Sequence, residues 1–412
     1  MCLVTPQQIR PSVKFGEVGL PSDPASSAYA ALAAYNIFTS GFGAGDNLTQ
    51  IQAALGKIAF SAPSYYSPPN KYVVPKTTEW SVQVEPTLDQ HDVLAVTYTG
   101  NHGYDQALSN GWANGFLLLT NGTNEYYGTS FAGLPTAAPD PRFLAVTQVL
   151  NAGYSNYDAM TVQVRHSMKW CFQGQVGWTW SHALGLSSIY NPYNLNFGYG
   201  NQGFDVRHAI VSDLIWTEPH VFSSGIAKAV LGGWTYGMKI YSFTETPFSS
   251  SDSKISAQIN SGGGFSGTFL ASVIDPNIQR VCTAVHGTSD TPCYTPNQFE
   301  TYNSTSGVAT PIQTDFGITG LGVFRGPGYF DIDTQLSKKV FVKERYALEL
   351  GGQIYNTLNH PNFSNPSAST TAGTAMGTTS GLVGPHTSPY GSGQGASLVG
   401  GRIIVVTAKF SF

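Results

Sequence analysis

The chain has 412 residues, and only 11% of them are charged, against roughly 25% in an ordinary soluble protein. The formal net charge is −4 and no basic stretch stands out, so nucleic acid is not an expected partner. No apolar run approaches the ~20 residues of a membrane helix, which excludes a helical membrane protein. The 46 glycines, 24 prolines and 13% aromatic residues indicate strands and turns.

Two regions differ in their periodicity. Residues 1–70 form an irregular, partly helical, loop-like segment, with helices predicted over 26–38 and 48–60. From about residue 71 to residue 412 apolar and polar residues alternate with a period of two, which predicts strands.

The clearest strand is predicted over residues 170–181. Its apolar face carries aromatic side chains at both ends, and its other face is polar and uncharged. A tilted strand of about 9–11 residues crosses a bilayer, with aromatic girdles at the two interfaces. We therefore predict a lipid-facing aromatic girdle, which includes two residues of a later strand. Its predicted members are Trp170, Phe172, Trp178, Trp180, Trp234 and Tyr236.

The same alternation recurs, so that nine strands are predicted. The others cover 79–85, 93–99, 159–165, 210–216, 234–243, 330–336, 346–355 and 403–412, with a bulge expected after Ile240. Short and long links take turns, and the long ones are 101–156, 182–204, 247–328 and 359–400. Outer-membrane barrels have short periplasmic turns and long extracellular loops, so this order places the end of the chain in the periplasm.

Motifs for catalysis or cofactor binding lack the context that they need. GYGNQG (198–203) precedes a predicted strand where a dinucleotide site requires a helix, and no zinc or nucleophile motif occurs. We therefore expect no enzymatic activity, no cofactor and no metal site. Cys282 and Cys293 bracket a polar stretch, as a loop disulfide in an oxidising compartment does, but two free thiols fit the sequence equally well.

Several segments taken in order resemble the carboxy-terminal half of TonB-dependent outer-membrane receptors, and the Oar-like group most. They include TTEWSVQVEPTLDQHD, FDVRH, FRGPGYFDIDTQLSKK, NHPNF and the terminal AKFSF, and the resemblance covers roughly residues 70–412. The residues that match the family's motifs are Asp205, Arg207, His208, Arg325, Gly326, Pro327, Gly328, Asn359, His360 and Pro361.

The resemblance implies an antiparallel transmembrane β-barrel segment in the outer membrane of a Gram-negative bacterium. It implies a receptor that takes up a scarce nutrient, with an unidentified extracellular ligand and energy from the TonB complex acting on an N-terminal plug. Such barrels have about 22 strands, so we expect this chain to be an incomplete barrel of nine or ten strands that lacks plug and signal peptide. It is then either a fragment or the product of a disrupted reading frame. Phe410 and Phe412 match the signal that such barrels offer to the barrel-assembly machinery.

A second interpretation remains open. In a soluble or surface-attached β-rich module that binds carbohydrate or peptide, the alternating aromatic residues would form a core between two sheets. The two interpretations differ in whether the apolar face is covered by protein or by lipid.

Overall fold

The computed structural model describes residues 27–55, 64–69, 71, 73–116, 134–140, 143, 145–219, 226, 230–252, 269–283, 291–300, 316–317, 319–342, 346–379, 381–383 and 401–411. Nine long strands of this part of the chain form an antiparallel sheet in which each strand pairs with its neighbours in sequence. They are β1 (Lys76–Val84), β2 (Asp92–Asn110), β3 (Val146–Lys169), β4 (Phe172–Leu186), β5 (His208–Thr217), β6 (Trp234–Phe243), β7 (Tyr329–Val342), β8 (Tyr346–Tyr355) and β9 (Ile403–Ser411).

The sheet is mostly antiparallel and is not closed. β1 and β9 form its two edges, and within the described ranges they are not hydrogen-bonded to each other. The open antiparallel sheet agrees with the predicted fold class, which was an incomplete antiparallel β-barrel.

The pairing register aligns the apolar positions of successive strands. Val176 lies opposite Val164 on one side and Ser212 on the other, and Trp178 lies opposite Val162 and Ile210. Directly opposed residues of an antiparallel pair point to the same face. One face of the sheet is therefore predominantly apolar, as the period of two predicted, with a few polar positions such as Ser212.

Three details of the predicted strands are wrong. Residues 101–110 and 146–156, expected in a long link, belong to β2 and β3, because these two strands pair with each other as far as Asn110 and Gln148. Trp170 is not part of a strand, because Trp170 and Cys171 form the two-residue turn between β3 and β4, with φ angles of 53° and 63°. The bulge after Ile240 is absent, since the pairing of β6 with both neighbours runs without a shift to Phe243. The aromatic residues after Ile240 simply occupy the other face of a regular strand.

The N-terminal segment contains two helices, α1 (Ser27–Ala44) and α2 (Leu48–Leu55). They pack through Ala34, Phe38, Ile51 and Leu55. A short strand, Tyr65–Ser67, pairs in parallel with the start of β3 and brings this segment to the end of the sheet where the long links lie. Within the described residues, none of the helices combines the length and apolar character needed to cross a membrane.

The long links fold into a layer over one end of the sheet, which we call the loop cap (residues 187–207, 244–252, 269–283, 291–300, 316–328 and 356–383 where described). Its core contains Tyr294, Phe299 and Phe324, each at most 2% exposed. Short strands in the cap are Tyr199–Asn201, Pro247–Phe248, Ser251–Asp252, Phe269–Leu270, Ser272–Val273, Phe299–Glu300 and Phe324–Arg325, and short 3-10 helices are Leu195–Gly198, Pro296–Gln298 and Thr370–Ala375.

Candidate functional site

The apolar face of the sheet is exposed. Val406 is 84% exposed, Ile404 64%, Leu350 49% and Val176 44%. A soluble β-sandwich would bury such side chains against a second sheet, and a soluble monomer rarely leaves a patch of this extent uncovered. The exposure therefore favours lipid over the core of a soluble module.

Aromatic side chains lie at two levels on this apolar face, which we call the lipid face. Phe172 of β4 lies opposite Trp216, and Trp216 lies opposite Tyr236. Eight residues further along β4, about 27 Å at ~3.4 Å per residue, Trp180 marks the other level beside Trp178. With a strand tilt of about 40° this separation is roughly 20 Å, close to the height of an outer-membrane apolar band.

The other predicted girdle residues lie at the level of the short links. Trp234 begins β6 on the lipid face, with the Lys338 ammonium group 4.8 Å from its ring centroid. Trp170 departs from the prediction, because it occupies the tip of its turn, 86% exposed and beyond the strand.

The opposite face of the sheet carries a row of polar side chains joined across strands. The Gln163 amide donates to Gln175 (3.0 Å), and the Gln175 amide donates to Asp213 (3.1 Å). Asp213 also accepts a hydrogen bond from the Lys239 ammonium group at 2.7 Å. Lys239 lies opposite Asp333 in the sheet register, so an ammonium group stands between two carboxylates.

Beside this row lies a groove of about 260 Å³. Gly237 lines the groove and leaves space in it, because even an added Cβ would lie 3.8 Å from its nearest neighbour, the Cβ of Gln335. The Tyr355 hydroxyl donates to the Gln353 amide oxygen (2.9 Å) in its wall, near Gln335. The groove thus presents carboxylate, ammonium and amide groups to a solute. Among the described residues no cluster of three potential metal ligands occurs.

Three residues of the predicted motifs meet at the boundary between sheet and loop cap. The Asp205 side chain is fully buried and accepts hydrogen bonds from Ala183 N (2.7 Å), Arg207 Nε (3.0 Å) and Arg325 Nη2 (2.7 Å). Arg325 Nη1 also donates to the Asp205 carbonyl oxygen at 2.9 Å. This ionic cluster joins FDVRH to RGPG across 120 residues of sequence, and we call it the rim cluster.

Near the rim cluster, Gly326 of RGPG lies against Asn365, two residues after the NHPNF segment. A Cβ on Gly326 would collide with the Asn365 side-chain amide, so a larger residue at this position would require that amide to move. Asn356 holds the backbone of His360 with two hydrogen bonds of 2.8 and 2.9 Å, and the Asn359 side chain accepts from Arg402 N at 3.1 Å.

The remaining motif residues are dispersed. The His208 ring stacks on Trp178 with centroids 5.8 Å apart, which places it on the lipid face away from the rim cluster. Pro361 is exposed, Pro327 lines a second cavity of about 390 Å³, and a Cβ on Gly328 would lie 3.0 Å from the Phe243 carbonyl oxygen.

The structure joins Cys282 and Cys293 by a disulfide, with the two Cα atoms 5.4 Å apart. Both residues are buried in the core of the loop cap, next to Tyr294. Burial raises the pKa of the Tyr294 hydroxyl. A hydrogen bond from Gln298 holds the pKa of Asp275, also in the cap, below its usual value.

Of the two candidate assembly residues at the end of the chain, the structure describes Phe410. Phe410 lies on the lipid face of β9, 59% exposed, and stacks against Tyr346 at 5.9 Å. Phe412 lies outside the described residues.

Sequence reasoning missed the polar row and its groove. Gln175, Asp213 and Lys239 lie on three different strands, and only the register brings them together. The one signal in the sequence was that charged residues at 213, 239 and 333 all occupy polar-face positions of their strands.

A model of the family described as "Outer membrane beta barrel domain" matches residues 14–388. The chain belongs to this outer-membrane β-barrel family. Membership places the chain in the outer membrane. It also agrees with the expectation that the chain is not an enzyme. No curated protein matches the chain.

Solved structures similar to this chain include two transporters and an import receptor. The outer membrane transporter YddB from Escherichia coli matches 88% of this chain with 36% of its own length, at 9% identity and a TM-score of 0.42. The ferric-catecholate import receptor Fiu from E. coli matches 82% of this chain with 27% of its own length, at 9% identity and a TM-score of 0.35. The FrpB iron transporter from Neisseria meningitidis matches 84% of this chain with 33% of its own length, at 10% identity and a TM-score of 0.37. The chain thus spans about a third of their length.

Proposed function

We propose that this chain forms part of the wall of a TonB-dependent receptor of the Oar-like group, which takes up a scarce nutrient. The receptor would bind its ligand at the loop cap and pass it along the polar face of the sheet. Energy would come from the TonB complex acting on an N-terminal plug, and the C-terminal Phe410 and Phe412 would be read by the barrel-assembly machinery.

The observation that carries this proposal is the difference between the two faces of one sheet. One face is apolar and exposed, and the other bears the Asp213–Lys239 pair and the open groove at Gly237. A large outer-membrane barrel that conducts polar solutes has an interior of this kind. The loop cap, which folds around its own core over the end of the long links, provides a surface for ligand contacts.

The open edges of the sheet support further strands in the receptor. β1 and β9 each have a neighbouring strand on one side only within the described ranges, and hydrocarbon does not tolerate the open edge of a sheet. We therefore propose that additional strands pair with both edges and close the barrel.

The proposal is tested by solute consumption in native cells. Mass spectrometry of spent medium would compare the parent strain, a strain lacking this gene and a strain lacking TonB. We expect at least one solute that the parent consumes to remain in the medium of both deletion strains. Unchanged consumption of every solute after deletion of this gene would refute the uptake function, and an effect independent of TonB would refute the energy source.

Complementation with variants tests the role of the polar face. Asp213→Asn combined with Lys239→Met removes the ion pair beside the groove, and we expect it to reach the outer membrane but to restore uptake several-fold less well than the parent gene. Lys76→Met is the matched control, because Lys76 lies away from the groove and its ion pair with Asp105 is exposed. Equal uptake by both variants would contradict a solute path along this face.

A further inference from the structure

The second cavity lies where the sheet meets the loop cap, and we call it the rim cavity. Its volume of about 390 Å³ is within the ~300–1,000 Å³ that small-molecule sites occupy. The segments FDVRH, RGPG and NHPNF each contribute one residue to its wall, namely Val206, Pro327 and Phe363. Three long links and the ends of β6 and β7 therefore meet around one space.

The rim cavity lies at the cap end of the polar face of the sheet. Phe243 and Tyr329, which line it, are directly opposed in β6 and β7. Phe243 is four residues from Lys239 along β6, so the two side chains share a face and are about 14 Å apart along the strand at ~3.4 Å per residue. A solute that enters from the cap would meet the rim cavity before it meets the groove.

Three aromatic rings form part of the wall. The Phe243 and Tyr329 rings stack with centroids 5.7 Å apart and an angle of 28° between their planes, and Phe363 adds a third ring. The face of an aromatic ring carries partial negative charge, which attracts the hydrogens of C–H groups. This part of the wall therefore suits a ligand that presents a C–H surface.

Uncharged polar groups form another part of the wall. The Thr246 hydroxyl donates to Asn365 Oδ1 (3.1 Å) and so fixes the orientation of the amide. The Thr244 hydroxyl oxygen accepts a backbone hydrogen bond (3.0 Å), and the Ser364 hydroxyl donates to a backbone carbonyl group (3.2 Å). Among the described residues, none accepts the hydrogens of Asn365 Nδ2 or of the Thr244 hydroxyl, so these donors remain for a solute.

This combination of wall groups selects the chemistry of the ligand. None of the described lining residues is charged at neutral pH, in contrast to the groove, so a buried ionic ligand would lack a counter-ion. A purely apolar ligand would displace water from the amide and hydroxyl donors without replacing its hydrogen bonds. A neutral pyranose ring meets both conditions, because it has C–H groups on its faces and hydroxyl groups around its edge.

We propose that the rim cavity binds a neutral sugar ring. The aromatic wall contacts a C–H face of the ring, Asn365 Nδ2 and the Thr244 hydroxyl donate to sugar oxygens, and the Ser364 oxygen accepts from a sugar hydroxyl. This inference rests on the proposed uptake function, for which it names the class of nutrient as a neutral saccharide.

Saturation-transfer NMR on isolated outer-membrane vesicles tests the proposal in the protein as native cells assemble it. The probes are the methyl glycosides of glucose, galactose, mannose and xylose, with glucuronate as the charged analogue. Vesicles from the strain lacking this gene supply the background. Isolated vesicles have no energised TonB complex, so binding is measured separately from uptake.

We expect at least one methyl glycoside to give a signal above background and several-fold above that of glucuronate. The absence of such a signal for every glycoside, or an equal signal from glucuronate, would overturn the proposal. If deletion of the gene still blocked the consumption of a solute by cells, the uptake function would stand and the sugar site alone would fail.

Two neighbouring positions test where the sugar binds. Val383 lines the rim cavity and is 39% exposed, whereas Leu382 is 41% exposed and is not among the described lining residues. Val383→Trp should fill the cavity and reduce the signal several-fold, and Leu382→Trp, the matched control, should leave it unchanged. Asn365→Asp keeps an acceptor for the Thr246 hydroxyl but removes the donor hydrogens, so it should also reduce the signal. At equal amounts of protein in the membrane, a signal that neither Val383→Trp nor Asn365→Asp reduces would refute the site.

Discussion

Replacing Asp205 with alanine should strongly destabilise the protein, because the carboxylate is the centre of the rim cluster. It accepts hydrogen bonds from Ala183 N, Arg207 and Arg325, and its side chain has no exposed surface. Asp205→Ala therefore leaves a backbone donor and two guanidinium groups without their common acceptor.

The burial of the two arginine side chains determines how far Asp205→Ala lowers the free energy of unfolding. The Arg325 side chain is 15% exposed, so removal of its counter-ion leaves a largely buried charge, which costs about 3–5 kcal/mol. The Arg207 side chain is 32% exposed and is partly solvated without Asp205, so its share is about 0–1 kcal/mol. We expect the free energy of unfolding to fall by about 3–5 kcal/mol in total, since the two arginine terms are coupled through one acceptor.

Denaturant unfolding in lipid vesicles, followed by tryptophan fluorescence, would measure this loss. Lys76→Met is the control, because the Lys76–Asp105 pair is 3.7 Å apart with side chains 56% and 35% exposed, and its loss should cost about 0–1 kcal/mol. A loss below about 1 kcal/mol for Asp205→Ala, equal to the control, would refute the argument that the rim cluster holds the cap to the sheet.

Three further experiments test other parts of the structure. Val176→Arg on the lipid face should lower the free energy of unfolding by about 2–4 kcal/mol and impair membrane assembly, whereas Gln175→Arg on the polar face should have a mild effect. Heat-dependent electrophoretic mobility measures assembly. Equal damage by the two substitutions would contradict the assignment of faces. Cys171→Gly should raise the free energy of unfolding by about 1 kcal/mol, because a φ of 63° strains any residue with a Cβ; a lower unfolding midpoint would contradict this. Mass spectrometry without reductant should find Cys282 and Cys293 in one linked peptide, and two free thiols would exclude the bridge.

The strands could be predicted from the sequence because alternation with a period of two shows which side chains share the apolar face of a strand. Trp178 lies on the predicted face, opposite Ile210, which the alternation in β5 also places on that face. The start of β4 could not be predicted, since Trp170 continues the alternation although the backbone has already turned. The turn requires positive φ at Trp170 and Cys171, a conformation that residues with a Cβ disfavour. The alternation of apolar and polar residues carries no information about this turn.

The site was less predictable than the fold. Asp205 and Arg325 were singled out by resemblance, but their contact spans 120 residues and depends on how two long links cross the rim. The row from Gln175 to Lys239 depends on register, which is fixed by backbone pairing and not by any local spacing. Local patterns therefore specify faces, whereas long-range pairing specifies which polar groups meet.

The most direct test of the account is the location of the protein in native cells, read by an antibody after separation of soluble and outer-membrane fractions. Each fraction would be run on a gel before and after boiling. We predict a signal in the outer-membrane fraction whose mobility changes on heating, as expected for a β-sheet that faces lipid and unfolds only when heated. A signal in the soluble fraction with the same mobility before and after boiling would contradict the account.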